Sequence, residues 1–440
     1  IIIYPPVNNA VNKLNLNSKS LRWLLLFLGS SLAAQIGTLP FTLTYFHRLS
    51  VTALLANFVV IPLSGMIVGL GILTIIAGSI INWIGFVFVA SNELLTYFMY
   101  WFVGLMGSAK YSYIIINQFS TYDAVVFYLT LVLIFYLFKK LFNPLAKVVS
   151  ISLSVILMVL FMKLDNYELT PKNVLSVIAV DVGQGDAFLL KFPNGKTALI
   201  DAGDKTQYFD NGERVILPLL DKLGIDTVDY GFISHVDSDH YKGIETLIKN
   251  QRVKVIYKPL IDSLAENDRE FEKFLRQNNC SFRYYSKISI PVGNTRIYVL
   301  NDTINNYFGS VKSNDRSGLL KLVYGRTSFL FTGDAGVQIE DDYINRYGSF
   351  LHSDVLKVGH HGSKSSTSEK FVKYVSPKFA IISAGVANKF GHPNKLILDR
   401  LNESQIEVLR TDRSGAVLLQ SDGNVIRSIN WKKMESSFNF

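Results

Sequence analysis

The segment His235-Val236-Asp237-Ser238-Asp239-His240 has the side chains and the spacing of a metal site. It follows the apolar run 230–234, which we predict to be a strand. If the segment stays extended, residues 235, 237 and 239 share one face and His240 points to the other side. Ligands could then be presented to two metal ions. The alternative is a polar loop leading into a helix, with Asp239 as its N-cap.

Further imidazole and carboxylate groups come directly after apolar runs. Asp201 follows 198–200, Asp334 follows 327–331, His360 and His361 follow 354–358, and His392 lies between Gly391 and Pro393. Five of the seven histidines thus fall in three loops flanked by glycines. Such grouping at the ends of strands indicates a metal-dependent site.

A framework of short strands must position these loops. The predicted strands are 175–182, 186–192, 197–201, 228–234, 252–258, 296–301, 318–324, 327–332, 378–384 and 415–420, and the predicted helices are 212–223, 241–250 and 265–278. Strands that first pair through turns and then alternate with helices predict an α/β sandwich of two sheets with outer helices. We assign residues 175–440 to this domain and the polar stretch 164–174 to a linker.

Residues 1–163 have a different composition. They hold nine basic and only two acidic residues and therefore carry +7 of the net charge of +9. Apolar runs at 23–46, 51–90, 124–138 and 148–162 predict one, two, one and one membrane helices, with the break in the second run at 62–65 or 78–79. The aromatic and polar stretch 91–121 fits an interfacial helix or a further span equally well.

Lys139, Lys140 and Lys147 lie between the last two apolar runs. Because basic residues beside spans stay on the cytoplasmic side, the domain after residue 165 is expected outside the cytoplasm. Cys280 is the single cysteine, which excludes a disulfide framework. Neither GxxxxGK[ST] nor GxGxxG occurs, so the chain has no recognisable nucleotide-binding loop.

The order of motifs in 34–65 resembles the competence domain of the ComEC family of DNA-uptake permeases. These motifs are Ala34-Gln35-Ile36-Gly37-Thr38-Leu39-Pro40, Phe46-His47-Arg48-Leu49-Ser50, Ala56-Asn57 and Ile61-Pro62-Leu63. The resemblance implies that Gln35, Pro40, Asn57 and Pro62 belong to the motif of the membrane domain or channel. It also implies further N-terminal segments before the region seen here.

Residues 175–425 resemble the metallo-β-lactamase fold in its ComEC branch. The matching segments are Asp181-Val182-Gly183-Gln184-Gly185-Asp186, Leu199-Ile200-Asp201-Ala202-Gly203, the 235–240 motif, Phe331-Thr332-Gly333-Asp334 and His360-His361-Gly362-Ser363. The resemblance implies an αββα sandwich in which His235 and Asp237 form one metal subsite. Asp239, His240, a bridging Asp334 and one of His360 or His361 would form the other. Asp239 and His392 are the predicted catalytic residues, although His392 equally fits a turn-stabilising role before Pro393.

The motif departs from the family's usual HxHxDH, because Asp237 stands at the middle histidine. In addition, the sequence has no histidine between 240 and 352, where a further ligand usually occurs. Oxygen ligands in place of imidazoles favour Mn²⁺ or Mg²⁺ over Zn²⁺.

Together the resemblances imply uptake of DNA across the cytoplasmic membrane during natural transformation. The helices would form the path of a single strand, and the extracytoplasmic domain would bind DNA through its phosphates and hydrolyse it as a nuclease. Other competence proteins and a separate ATPase are the expected partners, and the oligomeric state stays open. Basic residues that could guide DNA, or equally form a solvated surface, are Lys242, Lys357, Lys364, Lys373, Lys389 and Lys395. The alternatives are a non-catalytic DNA-docking module and a tethered phosphoesterase of the cell envelope.

Overall fold

The computed structural model shows a chain of two compact units that divide between residues 166 and 167. It describes residues 8 and 11 and residues 18–432 except 47, 109–111, 117–118, 142, 165–167, 261–264 and 301–312. His47 of the competence motif and part of the predicted linker therefore lie outside the described residues.

The N-terminal unit consists of long apolar helices. These are α1 (Lys19–Phe46), α2 (Ala53–Ile80), α3 (Asn82–Gly107), α4 (Thr121–Lys140) and α5 (Pro144–Leu164). Two short strands, β1 (Arg48–Ser50) and β2 (Tyr113–Ile115), pair antiparallel between them. Within the described ranges, these five helices are long and apolar enough to cross a membrane. The chain is thus a membrane protein with several candidate spans.

The apolar run 51–90 breaks at a different point from the two that we predicted. Pro62 lies inside α2, and the chain leaves the helical conformation only at Ile81. The helices then pack so closely that a Cβ on Gly85 would lie 2.6 Å from the Cα of Gly78. The helix after the break, α3, continues to Gly107, so much of the stretch 91–121 belongs to a long apolar helix.

The C-terminal unit is a sandwich of two sheets. Its strands are β3 (Leu175–Ala179), β4 (Phe188–Lys191), β5 (Thr197–Ile200), β6 (Val228–Phe232), β7 (Val253–Lys258), β8 (Ser281–Tyr284), β9 (Ile288–Val292), β10 (Thr295–Val299), β11 (Leu320–Tyr324), β12 (Thr327–Phe331), β13 (Val355–Lys357), β14 (Phe379–Ile382), β15 (Glu407–Arg410), β16 (Val417–Ser421) and β17 (Ile426–Ile429). One sheet has the order β17-β16-β3-β4-β5-β6-β7-β8 and the other β15-β14-β13-β12-β11-β10-β9.

Helices cover the outer face of each sheet. They are α6 (Leu217–Lys222), α7 (Ser238–Lys249), α8 (Glu266–Gln277), α9 (Val337–Tyr347), α10 (Glu369–Val375) and α11 (Lys395–Glu403), while the short helix α12 (Thr411–Ser414) follows β15. A central core that includes Val177, Phe188 and Phe329 joins the inner faces of the two sheets. Separate cores join the first sheet to α6–α8 and the second to α9–α11. The predicted αββα sandwich is confirmed, because each sheet buries one face against its partner and the other against helices.

Candidate metal centre

The candidate ligands lie where parallel strands end. Strands β5 and β6 run parallel in the first sheet, and β12 and β13 run parallel in the second. Asp201 follows β5, His235 comes shortly after β6, Asp334 follows β12 and His361 follows β13. Because the two sheets face each other, these strand ends bring polar side chains from both sheets into one cluster.

The conformation of residues 235–240 differs from the extended one predicted. Helix α7 begins at Ser238, and Asp237, rather than Asp239, occupies the N-cap position. The prediction that His240 points away from His235 is therefore wrong. The helical turn instead brings the two rings together, with centroids 4.0 Å apart.

Three buried imidazoles aim their Nε2 atoms into the same space. The Nε2 atoms of His240 and His361 lie 3.4 Å and 3.5 Å from Oδ2 of Asp334, and His235 shares one potential ligand group with His240 and Asp334. None of the three Nε2 atoms has a hydrogen-bond partner in the described part of the chain. Buried polar atoms without partners are costly, so this donor set fits a divalent metal ion.

The opposite nitrogen of each ring is held in place. His240 Nδ1 lies 2.9 Å from Oδ2 of Asp201, and His361 Nδ1 lies 2.9 Å from the Ser383 carbonyl oxygen. His235 Nδ1 lies 3.0 Å from Oγ of Ser234. Such contacts fix ring orientation and direct Nε2 toward a metal.

Neighbouring carboxylates alter the pKa values of two rings. Burial disfavours the charged form of both His240 and His361. Asp334 and Asp201 nevertheless raise the pKa of His240 well above its usual value. Asp334 and Asp186 likewise raise the pKa of His361 to about 10. The cluster thus attracts positive charge, as a cation site requires.

A buried lysine lies behind the cluster. Nζ of Lys357 lies 2.5 Å from Oδ2 of Asp186 and 3.3 Å from Oδ1 of Asp334, and it donates to the Gly333 carbonyl oxygen at 2.7 Å. Burial would raise the pKa of both carboxyls, but Lys357 and the nearby histidines hold the pKa of Asp186 and of Asp334 well below the usual range. The inclusion of Lys357 among possible DNA-guiding residues is wrong, because its side chain is only 1% exposed.

Asp237 and Asp239 lie at the open side of the cluster. Oδ2 of Asp237 is 3.5 Å from Nε2 of His235, and Oδ2 of Asp239 is 3.5 Å from Nε2 of His361. Asp239, His240 and His361 form a second potential ligand group that shares His240 with the first. The residues present can therefore supply two adjacent subsites.

His360 and His392 lie at the rim. Nε2 of His360 is 3.8 Å from Oδ2 of Asp334 and 3.4 Å from Nδ2 of Asn314, and its side chain is partly exposed. Of the two adjacent histidines, His361 therefore points into the cluster. The rings of His392 and His360 meet edge to face with centroids 5.9 Å apart, and burial together with the neighbouring imidazoles lowers the pKa of His392.

Sequence reasoning missed several groups that build the centre. Ser317 Oγ accepts a hydrogen bond from the Asp334 amide at 2.9 Å and lies 3.4 Å from Nδ1 of His235. The sequence places Asp186 in the 181–186 motif without a role of its own, and it places Lys357 only among the basic residues that could guide DNA. The one available signal was the position of Lys357 inside the apolar run 354–358, where a charged side chain needs a buried partner.

The predicted membrane-domain residues make helix-packing contacts. Nε2 of Gln35 donates to the Ser50 carbonyl oxygen at 3.0 Å, and Nδ2 of Asn57 donates to Oγ of Ser31 at 2.9 Å. Pro40 and Pro62 lie inside α1 and α2. Hydrogen bonds of this kind join elements of the helical unit.

Comparisons with known proteins agree with both halves of the chain. Residues 1–141 match the family described as Competence protein, and residues 180–386 match the metallo-beta-lactamase superfamily. The chain joins a competence-protein domain to a metallo-β-lactamase domain. This order of domains confirms the resemblance to the ComEC family.

Three curated relatives carry the same signal. The chain is 28% identical over 406 residues to ComE operon protein 3 of Bacillus subtilis, covering 88% of this chain and 50% of that protein. It is 30% identical over 250 residues to Competence protein ComA of Neisseria gonorrhoeae, covering 57% and 33%. It is 32% identical over 246 residues to Recombination protein 2 of Haemophilus influenzae, covering 56% and 29%. The chain thus spans half or less of the length of these relatives.

Proposed function

We propose that this competence-family membrane protein binds DNA during transformation and that its C-terminal unit hydrolyses DNA phosphodiesters with divalent metal ions. The observation that carries the proposal is the convergence of three buried Nε2 atoms, without hydrogen-bond partners among the described residues, beside Asp334. Competence homology supports a role in transformation, and the metallo-β-lactamase fold implies a divalent metal.

The chain's own residues suggest two subsites. His235 and Asp237 would hold one ion, Asp239, His240 and His361 would hold the other, and Asp334 would bridge the two subsites. Bound divalent ions would supply Lewis-acid activation of a phosphodiester and of water. The carboxylate at 237 makes the first subsite richer in oxygen, which favours Mn²⁺ or Mg²⁺ over Zn²⁺.

Other residues would position the reactants. Asp201 accepts hydrogen bonds at 2.7 Å from both the amide and the hydroxyl of Ser234, and the same carboxylate orients His240. His392 lies at the rim with Nδ1 buried and without a hydrogen-bond partner among the described residues. From there it can contact a substrate phosphate or the leaving oxygen. In this proposal His392 contacts the substrate, and Asp239 is a metal ligand.

For the membrane unit, we propose that α1–α5 contribute to the path of a single DNA strand. The basic loop between α4 and α5 would face the cytoplasm, and the C-terminal unit with the metal centre would face the side from which DNA arrives. Because the sequence contains neither GxxxxGK[ST] nor GxGxxG, we expect other competence proteins, including a separate ATPase, to drive transport. The chain covers 50% of ComE operon protein 3, so this comparison supports only part of the transport proposal.

The test uses the full chain in detergent with single- and double-stranded DNA and Mn²⁺, Mg²⁺, Zn²⁺ or EDTA. We expect cleavage with Mn²⁺ or Mg²⁺, and a fall of at least about a hundredfold in Asp334→Asn, because a lost ligand costs metal affinity and charge stabilisation. Asp342→Asn, at an exposed ion pair with Arg346, is the matched control and should keep full activity.

Asp237, together with the lack of a histidine between 240 and 352, favours a second candidate, a non-catalytic DNA-docking module. Salt-sensitive DNA binding without cleavage under any metal would support it and contradict the nuclease. The envelope phosphoesterase is disfavoured, since a tether needs one span and the described chain offers five candidates.

A further inference from the structure

An exposed aromatic ring lies at the rim of the metal centre. Phe390 is 55% exposed, and its ring stacks on His392 at a centroid distance of 5.9 Å with 17° between the planes. His392 in turn lies 5.9 Å from His360, whose Nε2 is 3.8 Å from Asp334. A short chain of rings therefore leads from solvent to the cluster.

The loop that carries Phe390, residues 385–394, is held in one shape by Asn388. Oδ1 of Asn388 accepts hydrogen bonds from the amides of Phe390 and His392 at 3.2 Å and 3.0 Å. Its Nδ2 donates to the carbonyl oxygens of Gly385 and His392 at 2.9 Å and 2.6 Å. The exposed ring is thus presented on a pre-organised loop, which lowers the entropy cost of binding.

The same loop is attached to the segment that supplies His361. The Asn394 amide donates to the Gly362 carbonyl oxygen at 2.8 Å. Gly362 also packs so closely on Pro393 that a Cβ there would come within 2.6 Å of the proline Cβ. A ligand bound to Phe390 therefore has a fixed position relative to the metal centre.

A lysine side chain lies beside the exposed ring. Nζ of Lys389 lies 5.0 Å from the centroid of Phe390. Lys364 and Lys395, on the adjoining segments, are also exposed. An exposed aromatic ring beside an exposed cation suits a nucleotide, which offers a flat base and a phosphate.

We propose that Phe390 is a stacking platform for one unpaired nucleobase and that Lys389 contacts the adjacent phosphate. The base stacks on the ring of Phe390, and the DNA backbone continues toward Asp334. Lys389 moves from its position over the ring to contact the phosphate. Stacking requires an unpaired base, so the platform favours single strands over duplex and accepts all four bases. This inference rests on the proposed function, because it concerns how the substrate enters that site.

The test measures binding of a fluorescent oligothymidylate and of an abasic oligomer of equal length to the full chain in detergent with EDTA. The abasic oligomer keeps the phosphates and lacks the bases. We expect Phe390→Ala and Phe390→Leu to weaken oligothymidylate binding about tenfold and to leave the abasic oligomer unchanged, whereas Phe390→Tyr keeps wild-type affinity. Lys389→Gln should weaken both oligomers and reduce the salt slope by about 0.7.

Tyr374→Ala removes another exposed aromatic ring and is the matched control, with no expected effect. Equal losses for both oligomers in Phe390→Ala, or no loss for either, would overturn the platform. So would a Phe390→Ala variant that loses binding to anionic lipid vesicles and retains oligothymidylate affinity, since that result assigns the ring to a membrane surface.

The two proposals fail separately. Base-dependent binding that requires Phe390, without cleavage under any metal, overturns the nuclease and supports the platform. Metal-dependent cleavage with binding that is independent of Phe390 overturns the platform alone. Failure of the wild-type chain to bind either oligomer overturns both.

Discussion

Lys357 is the residue whose burial most changes the interpretation of the site. Its ammonium lies between two buried carboxylates, Asp186 and Asp334, and burial lowers its own pKa less than those carboxylates raise it. A fixed cation there keeps both acids ionised and within contact distance of the imidazoles. The centre thus contains one permanent positive charge besides any metal it binds.

Removing that cation should destabilise the C-terminal unit. In Lys357→Met two buried carboxylates lose their counter-charge, and we expect the free energy of unfolding to fall by about 3–5 kcal/mol. Pulse proteolysis of the full chain in urea measures the change. Lys370→Met is the control, because its ion pair with Asp341 is about half exposed and screened by solvent, so its loss should leave stability unchanged. Equal stabilities of the two variants would contradict a structural role for the buried ammonium.

Cys280 allows a prediction about pH. Burial disfavours its thiolate and raises the pKa of the thiol to about 11. Because only the thiolate reacts, we expect the maleimide labelling rate to rise about tenfold per pH unit from pH 8 to pH 10. Asn424→Cys in a Cys280→Ser background places an exposed thiol in a turn and should level off near pH 9. A plateau for Cys280 in that range would contradict the buried environment.

At the level of elements, the sequence indicated the strands better than the helix starts. Mainly apolar runs such as 175–182 and 197–201 predicted β3 and β5, because strands buried on both faces need mostly apolar residues. Residues 235–240 carried the same polar pattern in either conformation, so alternation could not reveal that α7 begins at Ser238. Short amphipathic strands such as β8 and β17 lacked that apolar signal.

The candidate site shows the same division. His361 and Asp334 could be proposed from their positions after strands. Their partners Ser317 and Ser383 could not, because these contacts join segments far apart in sequence. Which of two adjacent histidines faces the cluster also depends on backbone conformation, and both His360 and His361 adopt positive φ angles.

Close backbone contact positions α7. The Ala202 amide donates to the His240 carbonyl oxygen at 2.7 Å, and the Gly243 amide donates to the Gly203 carbonyl oxygen at 2.9 Å. A Cβ on Gly243 would lie 2.0 Å from the Ala202 carbonyl oxygen. The helix can therefore hold His240 beside Asp201 only with glycine at this position.

Gly243→Ala should push α7 away from that loop. We expect a loss of about 2 kcal/mol in stability from overpacking and a weaker affinity for Mn²⁺, because His240 loses its orientation by Asp201. Pulse proteolysis and titration calorimetry measure the two effects. Lys249→Ala, at the exposed end of the same helix, should change neither. Unchanged Mn²⁺ affinity in a destabilised Gly243→Ala would contradict the coupling of helix position to metal binding.

At the scale of the whole chain, charge divides as the fold does. The helical unit carries most of the net positive charge, and its basic residues lie mainly beside spans. The pI of about 9.2 therefore reflects chiefly the basic residues beside the spans, which predict membrane orientation. Attraction of DNA would depend instead on local groups such as Lys389 at the rim of the metal centre.

This charge pattern predicts the side of the membrane on which the C-terminal unit lies. With Lys139, Lys140 and Lys147 in the cytoplasm, α5 leads outward, so Asn424→Cys in a Cys280→Ser background should react with a membrane-impermeant maleimide in intact cells. Asn143→Cys, in the loop between α4 and α5, is the control and should react only after permeabilisation. The reverse labelling pattern would place the C-terminal unit in the cytoplasm, where it could not meet DNA before import.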